Sequence, residues 1–188
     1  MPATEPILAL LDSRSFGSIW FWVIVTAAWT MAGRRILGVP ADVIAGAVFV
    51  EPEPDGDPAA LMLLDWLSLT LPRWRMERRE GALLLGLGSF LLTVLAVLGF
   101  AYRLEMAQAL VLLVAPFVLL FALDLRLAGR LRPLLAQAGR DMPANLAAAQ
   151  AARLMRRHRL AGMALSILAV ALTAAYGAVW MILHPFGY

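Results

Sequence analysis

The residues that could carry chemistry are few and widely spaced along this chain. It contains no Cys and only two His, His158 and His184. These flank one apolar run, and about 26 helical residues at about 1.5 Å each would separate them by roughly 39 Å. One metal ion or haem therefore cannot join both within a single chain, and the missing thiols exclude a thiol nucleophile or a thiolate-bound cluster. The sequence predicts no catalytic, metal-binding or cofactor-binding residues.

Four charged residues are expected together at the outer boundary of a membrane: Asp12, Arg14, Arg103 and Glu105. They supply two charges of each sign, and we interpret them as an ion-pair cluster that ties the N-terminal segment to a helical hairpin. Catalysis is disfavoured because no nucleophile, His or Gly-rich anion loop accompanies them. Asp124 lies at the opposite end of the apolar run that begins after Glu105. We interpret it as an interfacial carboxylate, either solvated or paired with Arg.

Small residues recur every three or four positions in the last apolar run, so one face of a helix would carry all of them. The face consists of Gly162, Ser166, Ala169, Thr173 and Gly177. Such a face permits close approach of another helix backbone. Packing within the chain's own bundle is the first interpretation, and contact with a second copy or another protein is the alternative.

These residues must be positioned by membrane-spanning helices. Of the 188 residues, 62% are hydrophobic, compared with roughly 45–50% in an average soluble domain. Four runs can cross a bilayer, and the shortest has 18 residues without a charge. The fold class predicted is an all-α integral membrane protein, a single domain with four transmembrane helices in a bundle plus interfacial and cytoplasmic helical segments. The predicted spans are 16–33, 81–102, 106–123 and 160–183.

The arginines predict the orientation. All sixteen basic residues are Arg, and fourteen of them lie in the loops 34–80 and 124–159, against only Arg14 and Arg103 on the other side. The positive-inside rule places these two loops in the cytoplasm and both termini in the periplasm of a bacterial inner membrane. The same rule explains the basic composition without nucleic acid, which we do not expect as a partner. Membrane lipids are expected partners, because cytoplasmic Arg attracts anionic headgroups.

The loops themselves predict further helices. The acidic, proline-rich stretch 51–58 is typical of an extended linker, and Asp57 can then cap a helix that has Pro58 at its first position. The following run, 59–71, is too short to cross and is expected along the inner leaflet, with Trp66 and Trp74 at headgroup level. Turn residues at 37–42 precede an apolar run, 43–50, predicted as a surface or re-entrant segment. Helical periodicity continues over 124–138, and a helix from about Ala144 should run without interruption into the last span.

Short motifs support a resemblance to a known family. In order, they are Asp12-x-Arg14-Ser15-Phe16 with Trp20 and Trp22, Leu37-Gly38-Val39-Pro40-x-Asp42, and Gly99-Phe100-x-Tyr102 with Glu105, Ala107 and Gln108. Together they resemble a family of alphaproteobacterial membrane proteins known as components of the SufBCD complex, over about half of the chain. The stretch 51–58 departs from the family's pattern. The resemblance implies a membrane-bound partner of the iron–sulfur assembly scaffold, and it brings no catalytic or binding residues with it.

The interiors of the four predicted spans contain no Asp, Glu, Lys, Arg or His, although carriers and proton relays usually keep an ionisable residue at that depth. The expected function is therefore a non-enzymatic accessory, assembly or scaffold subunit of a larger inner-membrane complex, or a homo-oligomer with that role. A small oligomeric transporter or channel is the alternative, with Glu105 as its only candidate coupling residue. A membrane enzyme acting on lipid would need an acid, base or nucleophile set that the chain does not offer.

Overall fold

The computed structural model of the chain describes residues 15–51 and 56–183, and most of them are helical. Within these ranges the α-helices are α1 Ile19–Arg34, α2 Ala41–Ala47, α3 Pro58–Thr70, α4 Arg78–Ala96, α5 Glu105–Gln137 and α6 Ala144–Leu183. A 3₁₀ turn, Leu71–Trp74, follows α3, and a π-helical segment, Val97–Ala101, continues α4. A two-stranded antiparallel hairpin, β1 Arg35–Ile36 and β2 Val39–Pro40, links α1 to α2. Asp12, Arg14, His184 and the centre of the acidic linker lie outside the described residues.

Three of the helices are long and apolar enough to cross a membrane. They are Arg78–Ala101, Glu105–Gln137 and Ala144–Leu183, with mean hydropathies of 2.4, 2.5 and 2.0 over their most apolar stretches. Helix α1 has only 16 residues, because a turn at Ser15–Ser18 precedes it. At about 1.5 Å per residue it is roughly 24 Å long, which is less than the roughly 30 Å of a bilayer's hydrocarbon core.

Helices α5 and α6 extend well beyond the predicted spans, as the continuing periodicity indicates. Helix α5 runs without interruption through Pro116 to Gln137, so it covers the span 106–123 and most of the helical stretch 124–138. Helix α6 begins at Ala144 and covers the span 160–183 in one piece of 40 residues. Between them, Gly139 has a φ of 72°. This left-handed conformation ends α5 at a position where glycine carries no steric penalty.

The chain divides into two compact units. The first unit comprises Met1–Trp29, Met76–Leu119 and Leu165–Tyr188, and the second comprises Thr30–Arg75 and Leu120–Ala164. In the first unit, no residue of α4 is buried, and apolar side chains such as Leu83, Leu85 and Phe90 are 63–73% exposed. An apolar helix with so little covered surface is typical of a lipid-facing or partner-facing position.

The second unit holds the apolar core. Leu63 and Leu67 of α3 are buried there with Ile44 of α2, Leu131 of α5 and Met155 of α6. The run 43–50 therefore comprises most of the short helix α2 and the three residues after it, and it packs into a core. The run 59–71 buries one face in the same core, while its opposite face, with Leu61, Met62 and Leu69, is 44–70% exposed. Both runs are apolar because a core covers part of each.

Local sequence explains how these short helices begin. Asp57 Oδ1 accepts a hydrogen bond from the backbone N–H of Ala59 at 2.8 Å, with Pro58 in the first turn, as the sequence predicts. In the β1–β2 turn, Leu37 and Gly38 have φ values of 53° and 90°. Two positive φ values are what a two-residue hairpin turn of type I′ requires. The Trp74 indole N–H donates to the Leu37 carbonyl at 3.3 Å and so helps to hold this turn.

Candidate functional site

In the first unit, polar contacts converge on the backbone of Phe16. The Phe16 N–H donates to Glu105 Oε1 at 2.7 Å, and the Phe16 carbonyl accepts from the indole N–H of Trp22 at 3.0 Å. The ring is 1% exposed and makes edge-to-face contacts with Phe21 and Tyr176. A charged acceptor and an indole donor thus satisfy the backbone just before α1 begins. Phe16 therefore fastens the start of α1 to both α5 and α6.

Gly177 on α6 lies beneath the ring of Phe16. A Cβ added at Gly177 would lie 2.9–3.1 Å from three side-chain atoms of Phe16, which is closer than carbon atoms can approach without displacement. Thr173 and Ala169 of the same face are also buried, and the Thr173 hydroxyl donates to the Ala169 carbonyl at 2.8 Å. In the second unit, a Cβ on Gly162 would meet only Leu120, at 3.6 Å. Much of the small-residue face therefore packs within the chain.

Of the predicted outer charge cluster, the structure describes Arg103 and Glu105. They form no ion pair within 4.0 Å of each other, and Glu105 binds the Phe16 amide instead. Arg103 has a φ of 60° and borders a surface groove of about 460 Å³ together with Tyr176 and Trp180. Asp12 and Arg14 lie outside the described residues, so the four-residue cluster stays a prediction.

The hairpin between α4 and α5 is closed by Gly99 and Gln108. Gln108 Nε2 donates to the Gly99 carbonyl at 2.8 Å, and the Gln108 side chain is 1% exposed. Gly99 lies in the π-helical segment, whose extra residue redirects the carbonyls, and its missing Cβ lets the two backbones touch. Both residues belong to the motifs that carry the family resemblance. Their contact explains by packing why a glycine is followed nine positions later by a glutamine.

In the second unit, α5 and α6 are joined by Asp124 and His158. Their Oδ1 and Nε2 atoms are 2.7 Å apart, and the side chains are 20% and 10% exposed. Asp124 therefore pairs with His158, whereas the sequence favoured solvation or an Arg. Sequence reasoning missed this pair because the two residues are on different helices. An available signal was their position, since both lie at the same end of adjacent apolar runs.

Asn145 is a further polar residue that sequence reasoning missed. It is 1% exposed, and its Oδ1 accepts from the backbone N–H groups of Gly56 and Asp57 at 3.3 and 3.2 Å. Its Nδ2 donates to the Glu51 carbonyl at 3.1 Å. One amide side chain thus fastens both ends of the acidic linker to the start of α6. The only sequence signal for a role of Asn145 was its place two residues after Pro143, at the start of a helix. That position indicated a helix-capping residue.

The chemistry of these contacts is hydrogen bonding between segments. Over residues 15–51 and 56–183, no group of three or more His, Cys, Asp or Glu is placed to hold a metal ion. The best-defined polar residues, Glu105, Asn145 and Gln108, each bind backbone groups from another part of the chain. The geometry therefore brings together side chains whose hydrogen bonds hold loops and helix ends in place.

Comparisons with known proteins found no relative of this chain. Neither protein-family models, nor curated proteins, nor solved structures match the chain. The arguments that follow therefore rest on the chain's own residues.

Proposed function

We propose that this chain is a non-enzymatic accessory, assembly or scaffold subunit of a larger bacterial inner-membrane complex. One observation carries the proposal: α4 and the π-helical segment after it, Arg78–Ala101, are long and apolar enough to cross a membrane, yet none of the residues from Arg78 to Ala96 is buried within the chain. A span that makes so few contacts with its own chain leaves its surface available to another helix. The polar contacts described above hold the fold together. They contain no combination of residues suited to catalysis.

Helix α4 also carries a face on which another helix could pack. Ala82, Gly86, Ser89, Thr93 and Ala96 recur every three or four residues, and none of them is buried. The Ser89 and Thr93 hydroxyls donate to the Gly86 and Ser89 carbonyls, so no unsatisfied hydroxyl interrupts this face. Small residues at this spacing let two membrane helices approach closely. This face is the proposed contact with the partner protein.

Two glycines of α4 provide a matched pair of variants for testing this contact. A Cβ added at Gly86 or at Gly88 would meet no atom within 4 Å, and both residues are exposed, so a larger side chain at either position can extend away from the chain's own fold. Gly86 belongs to the small-residue face, whereas Gly88 is rotated by about 200° around the helix. We expect Gly86→Leu to reduce the copurifying partner, or second copy, about tenfold in mild detergent, because the bulky side chain separates the backbones.

Gly88→Leu is the control and should retain the partner at the wild-type level. Mass spectrometry of protein purified from its native membrane identifies and quantifies what is bound. Equal amounts of partner with both variants would contradict the proposed face. A wild-type protein that carries no stoichiometric partner and forms no oligomer would overturn the accessory function itself.

The proposed insertion has four crossings, with α1 as the first and both termini in the periplasm. Support comes from the arginines, since twelve of the sixteen belong to the segments of the second unit. The positive-inside rule then places the second unit's loops in the cytoplasm. The 16-residue α1 is short for a crossing, but the uncharged turn before it extends the apolar stretch.

Reporter fusions test this topology directly. We expect fusions at Tyr188 and near Leu104 to report a periplasmic position, and fusions near Asp55 and Arg140 to report a cytoplasmic one. The reason is the uneven distribution of Arg between the two sides of the chain. A cytoplasmic reading at Tyr188 would refute four crossings, because it requires an odd number from a periplasmic N-terminus.

The resemblance to components of the SufBCD complex suggests which partner to examine first. If the partner is the cytoplasmic iron–sulfur assembly scaffold, the second unit would be the part of the chain that faces it. The same purification tests this directly, because the scaffold proteins should then be recovered with the wild-type chain and lost at high salt if Arg mediates the contact.

A further inference from the structure

A groove in the second unit lies between α2 and the middle of α6. Its volume is about 360 Å³, within the range of sites that bind small molecules. Residues of both helices, and Val48 just after α2, line it: Ile44, Ala45, Val48, Arg156, Arg159 and Met163. Ile44 forms part of a buried floor at 4% exposure, whereas Met163 is 53% exposed at the rim. The groove is therefore open and largely apolar, and its lining includes two arginines.

The α6 side of the groove is amphipathic along its length. Arg156, Arg159, Leu160 and Met163 are spaced by three, one and three residues, which places them on one face of the helix. Both arginines precede both apolar residues along the helix axis. The positive charge is therefore gathered at one end of the groove, and Leu160 and Met163 continue the lining along α6 as apolar surface.

Neither arginine is compensated by an acidic residue in the part of the chain that the structure describes. The one ion pair found there within 4.0 Å joins Asp124 and His158. Asp42, in the first turn of α2, makes no ion pair with Arg156 or Arg159. The lining therefore includes two arginines without an ion pair in the described residues, and a guanidinium group can give charge-assisted hydrogen bonds to an anion.

We propose that this groove binds an anionic phospholipid. Its phosphate would be held by Arg156 and Arg159, and an acyl chain would lie on the apolar bed formed by Ile44, Ala45 and Met163. A free phosphate would use the charged end alone and leave that bed uncovered. Basic pockets beside cytoplasmic ends of membrane helices are suited to anionic headgroups. The site goes beyond the accessory function and shares with it only the requirement that the chain is inserted in a membrane.

Native mass spectrometry of the full-length protein in a nonionic detergent tests the proposal. The probes are phosphatidylglycerol, phosphatidylcholine with the same acyl chains, and inorganic phosphate as a competitor. We expect tighter binding of phosphatidylglycerol than of phosphatidylcholine. The variant Arg156→Gln/Arg159→Gln should bind phosphatidylglycerol about 10- to 30-fold more weakly and phosphatidylcholine unchanged.

Two further variants make the result specific to the groove. Arg153→Gln/Arg157→Gln removes the same charge from the same helix outside the lining residues, and it should bind as the wild type does. Ala45→Trp fills the apolar bed from an exposed position, and it should weaken the binding of both lipids. Circular dichroism of each variant shows whether the helices are retained.

Equal loss of phosphatidylglycerol binding in the two arginine double variants would overturn the proposal, since it would show a general charge effect. Full displacement of the lipid by an equimolar concentration of inorganic phosphate would overturn it as well, because the apolar bed would then add nothing to the affinity. A wild-type protein that retains its partner but binds both lipids equally would refute the groove alone. Loss of the partner from the wild type would refute the accessory function and leave the groove's test unaffected.

Discussion

Gly99→Ala is expected to be the most damaging single-methyl substitution in the first unit. The added Cβ would lie 2.8 Å from the Gln108 backbone nitrogen and 3.1 Å from the Ala107 carbonyl carbon. Both are backbone atoms, which cannot turn aside as a flexible side chain could. The hairpin would have to open, and the hydrogen bond from Gln108 to the Gly99 carbonyl would be strained or lost. We expect a loss of about 2–4 kcal/mol in the free energy of unfolding.

The measurement is denaturation in mixed micelles, followed by circular dichroism, with Gly88→Ala as the control. Gly88 is also in a helix, but a Cβ there meets nothing within 4 Å. Its replacement should be neutral or slightly stabilising, because alanine favours the helix over glycine. If Gly99→Ala and Gly88→Ala unfold at the same denaturant concentration, the close contact between the two backbones is not present.

Gly177→Leu is expected to have the second-largest effect. Its Cβ would meet the Phe16 ring and Cβ at 2.9–3.1 Å, and the larger side chain would push Phe16 out of its buried position. The backbone of Phe16 is bound by Glu105 and Trp22, so both hydrogen bonds should be disturbed together. We expect a loss of about 1–3 kcal/mol, with reduced yield of the inserted protein.

Two controls separate packing from transport. Gly162→Leu adds the same side chain to the same helix, where the nearest contact of the Cβ is an ordinary 3.6 Å to Leu120. Glu105→Gln keeps an oxygen that can accept from the Phe16 amide, so it should be tolerated better than Gly177→Leu. A carrier requires the reverse order. If Glu105→Gln abolished function in a protein that still inserts and assembles, the accessory reading would give way to transport.

Much of the helical architecture could be predicted because its signals are local. Uninterrupted apolar length marked α4, α5 and α6, and Asp57 with Pro58 marked the start of α3. The start of α1 was predicted too early, since Ser15–Ser18 forms a turn before the helix. The difference matters because it leaves α1 as the one predicted span that the structure shows to be short.

The contacts that fasten the fold could not be predicted, because they join residues far apart in sequence. Phe16 and Glu105 are separated by 89 positions, as are Gly56 and Asn145. Hydrophobic periodicity reports which face of a helix is apolar, but it does not report which other segment covers that face. For the same reason the run 43–50 was expected as a surface or re-entrant segment and the run 59–71 along the inner leaflet. Their buried faces meet in a core that exists only once α2, α3, α5 and α6 are together.

Asn145 determines where the chain should accept added sequence. Its side chain holds Glu51 on one side of the acidic linker and Gly56 and Asp57 on the other. Because both ends are held by the same amide, the backbone beyond each of them does not depend on how many residues lie between. An affinity tag or fluorescent domain inserted between Pro52 and Asp55 should therefore leave both units folded, and it gives a label on this protein that occupies neither terminus.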